Sequence, residues 1–473
     1  MKISRRNFLL GLGATGVVAG GASVLVPMMQ REGTLVNTKS RALHVDGTEG
    51  PLPKESDVVI IGAGIQGIMT AINLAERGLS VTICEKGEVA GEMSGRAYSQ
   101  IISYKTSPAI FPLHHYGKKV WRGMNEKIGM DTSYRTHGRV EAIPHEQELA
   151  VVEEWIKLNS ENPGFDTPLK TRIIKGEELA ARLPGAQSKW TVGGFEEDAG
   201  SVDPETGVSM LARYAMQIGV KIYTNCAVRG IETAAGKISD VVTEKGSIKT
   251  SSVVLAGGIW TRLFMGNMNV DIPTLNIYLS QQRVTAVPGV PKGNVHLPNG
   301  IHFREQADGT YAVAPRIFTS SIVKDSFILG PGFLHLLGGG ELPLEFKMGP
   351  DLWNSFTTKT SWKNDEVTPF EEYRVAMATP NNEHLDRVFN KMKAEFPAFK
   401  DSKVVERWGA AINLTSDELP IISEVPQYPG LFINTATGWG MTESPASGQI
   451  TADLVMGKTP FIDATPYSMK RFG

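Results

Sequence analysis

The sequence predicts a fold of α/β and α+β character, in which a parallel-sheet nucleotide-binding domain is interleaved with a mixed β-sheet domain. Three observations lead there. Asp57-Val58-Val59-Ile60-Ile61 is an apolar run of strand length that enters Gly62-Ala63-Gly64-Ile65-Gln66-Gly67; a helical stretch and a second run, Val81-Thr82-Ile83-Cys84, complete a β-α-β unit. Junctions rich in small residues recur where strands end, at Val253 to Trp260 and at Gly430 to Gly448. From about residue 276, helical spacing gives way to alternation, with Asp308-Gly309 as a hairpin turn. This assigns residues 55–100, 196–275 and 405–473 to the nucleotide domain, and 101–195 and 276–404 to the β-rich one.

With 473 residues the chain has room for two or three domains and a sizeable core. Its 48 Lys plus Arg stand against 50 Asp plus Glu, and a net charge of -2 argues against nucleic acid as a partner. Cys84 and Cys226, the two cysteines, sit in apolar runs and read as small buried hydrophobes. The nine histidines include no pair at metal-ligating helical spacing, so no metal site is expected.

Taken in order, the chain opens on Ser4-Arg5-Arg6-Asn7-Phe8-Leu9, ahead of an uncharged segment from Phe8 to Met29. As a helix that segment spans roughly 33 Å, enough to cross a bilayer. The paired arginines resemble a bacterial twin-arginine export signal. With no clear A-x-A cleavage site before Pro27, residues 1–30 are expected to stay as a transmembrane anchor, its positive end cytoplasmic and the remaining chain outside. Residues 31–54 carry Gly33, Gly47, Gly50, Pro51 and Pro53 without periodicity and read as a linker.

In the β-α-β unit Gly62 permits the tight bend, Gly64 lets the backbone approach a pyrophosphate, and Gly67 lets helix and strand pack closely. Glu85 closes the second strand, where an acid accepts hydrogen bonds from an adenosine ribose. The pattern points to a dinucleotide and does not separate FAD from NAD. Gly87 to Gln100 is either a cradle for phosphate and flavin or a plain surface loop. Residues 101–195 read as mixed α+β, with helical patterns at Val151 to Ile156 and Glu177 to Leu183. A helix from Asp203-Pro204 to Ile218 and strands at Val220 to Tyr223, Ile238 to Val242 and Val253 to Ala256 then return to the nucleotide domain.

In the β-rich part, Gln281 to Val287 and Ile301 to Glu305 are expected strands. Tyr311 to Phe318 alternates, so Ala312, Ala314, Arg316 and Phe318 share one face as a pocket floor, unless Arg316 is simply solvated. Residues 325–400 form a partly helical insertion. Phe327 to Leu344 is apolar, broken by Gly338-Gly339-Gly340, and is expected to lie buried under the domain ahead of docking on a membrane or partner. Asn382 to Phe396 is a helix whose stripe of Leu385, Val388, Phe389, Met392 and Phe396 faces the core. The last junction, Thr437 to Gly448, places a helix N-terminus where it suits an anionic flavin ring.

These parts together resemble the FAD-dependent amino-acid and amine oxidase superfamily of D-amino-acid, glycine and sarcosine oxidases. The resemblance lies in Val58 to Glu85, Ser94-Gly95-Arg96, Val253 to Trp260, Asp308 to Arg316 and Asp417 to Gly448. Ser4-Arg5-Arg6, Ser99-Gln100, Arg316-Ile317-Phe318 and Thr437 to Met441 resemble more closely the membrane-associated bacterial L-amino-acid deaminases. What this implies is a Rossmann-like FAD-binding domain with an interleaved substrate domain. Non-covalent FAD would be held by Gly62, Gly64, Ile65, Gln66, Gly67, Glu85 and Lys86, by Ser94, Gly95, Arg96 and Val228, by Ala256, Gly257 and Trp260, and by Gly438, Trp439, Gly440, Met441 and Thr442. Arg316 would bind the substrate carboxylate, with Ser99 and Gln100 near the flavin and Phe318 and Trp439 walling the side-chain pocket.

The implied activity is conversion of L-amino acids, large apolar or aromatic ones foremost, to 2-keto acids and ammonia. Electrons would pass to a quinone or cytochrome of the respiratory chain without peroxide release. The implied place is the bacterial cytoplasmic membrane, with membrane lipid as a partner and the catalytic domain on the periplasmic side. Two alternatives stand beside it: a peroxide-forming oxidase of D-amino acids, glycine or N-methyl amines, and a non-catalytic membrane-tethered flavoprotein.

Overall fold

The computed structural model describes residues 33–161, 168–334 and 344–472. The expected membrane helix at residues 1–30 lies outside the described residues, as does Gly338-Gly339-Gly340; among the described residues no helix is long and apolar enough to cross a membrane.

From Leu35–Asn37 (β1) the chain runs through Val58–Ile61 (β2), Ile65–Ala75 (α1) and Val81–Cys84 (β3), the β-α-β unit that the sequence predicts. Phe111–Arg122 (α2), Arg139–Ala142 (β4), Thr171–Lys175 (β5) and Val192–Glu196 (β6) come next, and Pro204–Gln217 (α3), Lys221–Tyr223 (β7) and Val253–Leu255 (β8) lead back to that unit. Thr274–Val284 (β9), Asn294–His296 (β10), Ile301–Glu305 (β11), Tyr311–Pro315 (β12) and Phe318–Ser321 (β13) follow. The insertion holds Lys324–Phe333 (α4), Leu344–Lys347 (β14) and Pro350–Thr357 (α5). Ala376–Ala378 (β15), Asn382–Glu395 (α6), Val404–Thr415 (β16), Ile421–Glu424 (β17), Leu431–Thr435 (β18) and Gly440–Val455 (α7) come after these.

The first sheet has the order β7-β3-β2-β8-β18-β17 and is parallel except for β17. Both faces are covered, which is why its strands read as unbroken apolar runs. Val58 and Ile60 pack with Ile68 and Ile72 of α1 and Leu211 of α3, whereas Val59 packs on the opposite side with Val241 and Ile248 of a three-stranded sheet. Full burial of each such aliphatic side chain contributes about 1.5–3 kcal/mol. Cys84 and Cys226 are free and buried in that second cluster.

The second sheet has ten strands, ordered β14-β13-β9-β12-β11-β10-β4-β6-β5, with β16 on the other edge of β9. Here β16 corrects the expected boundary at residue 405: paired with β9 from Thr274↔Thr415 to Val284↔Val404, it belongs to the β-rich half. The expected strand from Gln281 to Val287 is displaced as well, because β9 starts at Thr274 and ends at Val284. As predicted, the stripe of α6 is core, and Val388, Phe389, Met392 and Phe396 pack on Phe303, Tyr311 and Val313.

Two further expectations are corrected. The stretch read as a linker is docked along its described length: β1 pairs with β15, and the amides of Leu43 and Thr48 bond to the carbonyls of Glu205 and Ile222. Main-chain bonding needs no apolar periodicity, so the pattern of residues gave no sign of it. In the insertion only one side of α4 packs, through Leu329 and Phe333 on Leu275, while Phe327 and Ile328 are exposed at 48% and 73%. Trp353 and Phe356 of α5 are exposed beside them in the insertion.

Candidate active site

A single cavity of about 660 Å³ extends from the β2–α1 turn to the end of β12. At its first end Gly62 has φ +108°, and a Cβ there would stand 2.6 Å from the Ala256 carbonyl oxygen, so the bend requires glycine. A Cβ on Gly67 would stand 2.1 Å from the Gly62 oxygen, which fixes how closely α1 seats on β2. Glu85 at the end of β3 accepts from the amides of Ala63 and Gly87, both at 2.8 Å, and so braces the turn from below. Burial pushes its carboxyl up, against the pull of Lys86. Ser94 Oγ accepts from the Ile65 amide at 3.0 Å. This glycine-lined helix N-terminus beside a buried acid fits a dinucleotide, with pyrophosphate at the turn and ribose at Glu85.

The middle of the cavity is formed by the two later junctions, Ala256 to Trp260 after β8 and Ala436 to Met441 after β18. Gln66 joins the first junction to the last, its amide Nε2 donating to Thr437 Oγ1 and to the Gly440 carbonyl, each at 3.2 Å. Lys86 Nζ bonds Glu92 Oε1 at 2.6 Å and lies over the Trp260 ring, whose Nε1 donates to Glu92 Oε2 at 2.9 Å. Ser99 and Ala436 carry φ of +58° and +58°, conformations that non-glycine residues adopt at a cost of about 1–2 kcal/mol and that the surrounding packing holds in place.

At the far end stands Arg316. The expected continuous strand from Tyr311 to Phe318 is instead broken. Between Gln282↔Val313 and Tyr278↔Thr319, β9 advances from 282 to 278, four residues, while its partner advances from 313 to 319, six. Two extra residues bulge out between β12 and β13, where Arg316 and Ile317 stand, and Arg316 lines the cavity. Phe318 restarts the ladder and packs in an apolar wall with Leu279 of β9 and Ile412 of β16. Trp439 stands at the cavity edge, 43% exposed, edge-on to buried His114.

Next to Arg316, Glu141, His296, His302 and Ala314 form one cross-strand row over β4, β10, β11 and β12. The two imidazoles stack with centroids 3.9 Å apart. Burial, then the Arg316 charge, brings His302 down to about 3; burial, then His302, Arg139 and Arg316, holds His296 well below the ordinary histidine value. Both rings are therefore neutral at neutral pH. Burial works to raise Glu141, but Arg139 and Lys105 outweigh it and keep the carboxyl at about 2.

Most of the residues expected at the cofactor and substrate meet in this one cavity: Gly62, Gly64, Ile65, Gln66, Glu85, Lys86, Ser94, Ser99, Gln100, Val228, Ala256, Gly257, Trp260, Arg316, Phe318, Gly438, Trp439, Gly440 and Met441. Four do not line it. Gly67 and Gly95 are packing glycines, and Arg96 is turned away to bond the Lys39 carbonyl at 2.6 Å. Thr442 Oγ1 donates to the Gln100 carbonyl at 2.8 Å and is wholly buried. Sequence reasoning missed Arg139, Glu141, His296, His302, Leu279 and Ile412. Each sits on a strand, and their convergence depends on register between distant segments.

Comparison with known proteins places these features. A family profile described as FAD dependent oxidoreductase matches residues 57–454. The structure of L-amino acid deaminase from Proteus myxofaciens, in complex with anthranilate, is 75% identical, covers 94% of this chain and 100% of its own, and superposes with a TM-score of 0.92. L-amino acid deaminase from Proteus vulgaris is 57% identical over 91% of this chain and 100% of its own, with a TM-score of 0.89. A glycine oxidase from Pseudomonas aeruginosa is 24% identical over 87% of this chain and 98% of its own length.

Proposed function

The chain belongs to the FAD-dependent oxidoreductase family, in the company of the Proteus L-amino acid deaminases, and from that premise we propose that it oxidises L-amino acids to 2-keto acids and ammonia. The observation that carries the proposal is Arg316, set on a strand bulge beside the apolar wall of Phe318, Leu279 and Ile412 in the cavity that the glycine turn opens. A guanidinium next to an apolar wall suits a molecule with a carboxylate at one end and a large apolar side chain at the other.

When bound, FAD would supply the two-electron oxidation of the amino acid to an imino acid, which adds water and loses ammonia. The chain's own part is to bind and orient. Arg316 holds the carboxylate, and Phe318, Leu279 and Ile412 hold the side chain, which together fix the Cα–H direction. Enclosure in this wall disfavours the charged amine, so the substrate is held with a nitrogen lone pair available. Ser99 and Gln100 line the same cavity. Gly62, Gly64, Ile65, Gln66, Glu85 and Lys86 would hold the nucleotide half, and Gly438 to Met441, at the N-terminus of α7, would hold the ring half.

The test is anaerobic titration of the purified yellow protein with L- and D-amino acids. Bleaching of the flavin by large apolar L-amino acids and not by their D-enantiomers is expected. Bleaching by D-amino acids or glycine, with peroxide formed in air, would establish instead the oxidase reading that the glycine oxidase likeness favours. No bleaching by any of them would leave a non-catalytic flavoprotein.

Electron delivery to a membrane acceptor, a quinone or cytochrome, and a place on the periplasmic side of the bacterial cytoplasmic membrane belong to the same proposal. They are supported by Ser4-Arg5-Arg6 before an apolar segment and by the exposed Phe327, Ile328, Trp353 and Phe356 of the insertion. Deleting residues 1–29 is expected to leave a folded flavoprotein whose flavin is still reduced by substrate, while oxygen consumption with added membranes falls several-fold. Unchanged oxygen consumption would reduce that segment to an export signal.

A further inference from the structure

We propose that His296 and Arg139 are positioning residues which fix the side-chain amide of Gln100 so that its NH2 faces the substrate carboxylate beside Arg316. The inference rests on the reading of this cavity as a carboxylate site. Its basis is a chain of buried hydrogen bonds whose donor order can be settled from one end.

Arg139 is the fixed end. Its guanidinium is buried, bonds Glu141 through Nη2, and lies 4.2 Å over the Tyr104 ring. The same Nη2 approaches His296 Nδ1 at 3.1 Å. A guanidinium has donors only, so Nδ1 must accept and the proton of the neutral ring resides on Nε2. At 2.6 Å from that Nε2 stands the amide nitrogen of Gln100, and because two donors cannot share one contact, the amide is turned to set its oxygen there. A ring nitrogen that donates meets an amide through its oxygen, and the amide orientation follows from this network. The Gln100 oxygen is thereby committed to His296, which leaves its NH2 as a donor on the other side, in a residue that lines the cavity with Arg316.

The groups that face His296 keep its ring neutral. His302 of β11 stacks on it as a second neutral ring. Arg139 and Glu141 come from β4, Arg316 from the bulge, and Lys105 bonds Glu141 at 3.2 Å from the loop before α2. Burial and the surrounding cations disfavour a charged imidazole, so the ring holds a single proton, and the Arg139 donor at Nδ1 leaves that proton on Nε2. Without Arg139 the ring would be free to move its proton to Nδ1, and Gln100 free to turn its oxygen toward the substrate carboxylate, where it repels.

The test uses the FAD-loaded protein and benzoate, a carboxylate without an oxidisable Cα–H, with binding read from the flavin spectrum and folding from flavin content and Tm. His296→Gln keeps an acceptor for Arg139 and a donor for Gln100 and is expected to bind benzoate within about threefold of wild type. His296→Leu removes both and is expected to weaken it about tenfold or more, the loss of one hydrogen bond to a charged group. Arg139→Met removes the donor to Nδ1 and is expected to weaken benzoate by a similar factor, whereas Arg139→Lys keeps a donor there and is expected to recover most of the affinity. A purely structural role predicts no such rescue by the variants that keep the hydrogen-bonding groups. Unchanged affinity in His296→Leu, equal loss in His296→Gln and His296→Leu, or equal loss in Arg139→Lys and Arg139→Met would each overturn the proposal. Because benzoate binding involves no turnover, these outcomes are separate from whether L-amino acids reduce the wild-type flavin.

Discussion

Arg316→Ala is expected to abolish the preference of this protein for amino acids over the corresponding amines. Wild type should reduce its flavin far more readily with an aromatic amino acid than with the decarboxylated amine, and the variant should treat the two alike. The side chain stands on a two-residue bulge, where the ladder between β9 and its neighbour is interrupted. Arg316→Lys is the finer probe. A lysine supplies one point charge where the planar guanidinium supplies two parallel donors, so it should forfeit about 1.5–3 kcal/mol, or about 10- to 150-fold in apparent affinity. Alanine should lose more, because the carboxylate then has no charged partner in a desolvated pocket. Both variants should retain FAD and Tm. If the amino acid keeps its advantage over the amine in Arg316→Ala, another residue holds the carboxylate.

Gly67→Ala is expected to yield protein without flavin, or none that folds. The added methyl would stand 2.1 Å from the Gly62 carbonyl oxygen and 3.3 Å from Ile60 Cγ2, and backbone cannot give way as a flexible side chain does. Relief requires α1 to lift from β2, which moves the turn that holds the pyrophosphate and breaks the packing of Ile68 and Ile72. Overpacking of this kind costs about 1–3 kcal/mol before the lost cofactor is counted. Gly266→Ala is the control: it lies in the helix Thr261–Asn267, and its Cβ would meet nothing within 4 Å. Helix propensity there favours alanine by about 0.8–1.0 kcal/mol, so a small rise in Tm is expected with flavin content unchanged. Normal flavin content in Gly67→Ala would show that α1 has room that this packing denies it.

How far the sequence could be read follows from the range of the interactions involved. The nucleotide cradle was legible because its determinants are local: strand, glycines, helix and acid fall within residues 57–85, and Glu85 bonds the amides of Ala63 in that unit and of Gly87 just after it. The hairpin at Asp308-Gly309 was legible for the same reason, with Gly309 at φ +81°. The substrate end was half legible. Arg316 and Phe318 were picked from alternation, but the bulge between them depends on β9, some forty residues earlier in sequence. Leu279 and Ile412 converge only because β9 and β16 pair along their whole length, which no pattern within either strand encodes. Arg139 and His296 are more distant still, joined through parallel pairing of β4 with β10.

The docked stretch before β2 has a mechanical consequence. Its first described residues, Gly33 and Thr34, lie against α5, where the Thr34 amide bonds Asp351 at 2.7 Å and its hydroxyl reaches Ser321 at 3.0 Å. From there the chain is stitched to both halves in turn, through Val36 to β15 and through Thr48 to β7. Any force applied through residues 1–32 is therefore delivered next to Trp353 and Phe356 and spread over two sheets, so no single hinge carries it. A body held through that stretch would keep α5, with its exposed Trp353 and Phe356, beside the point of attachment.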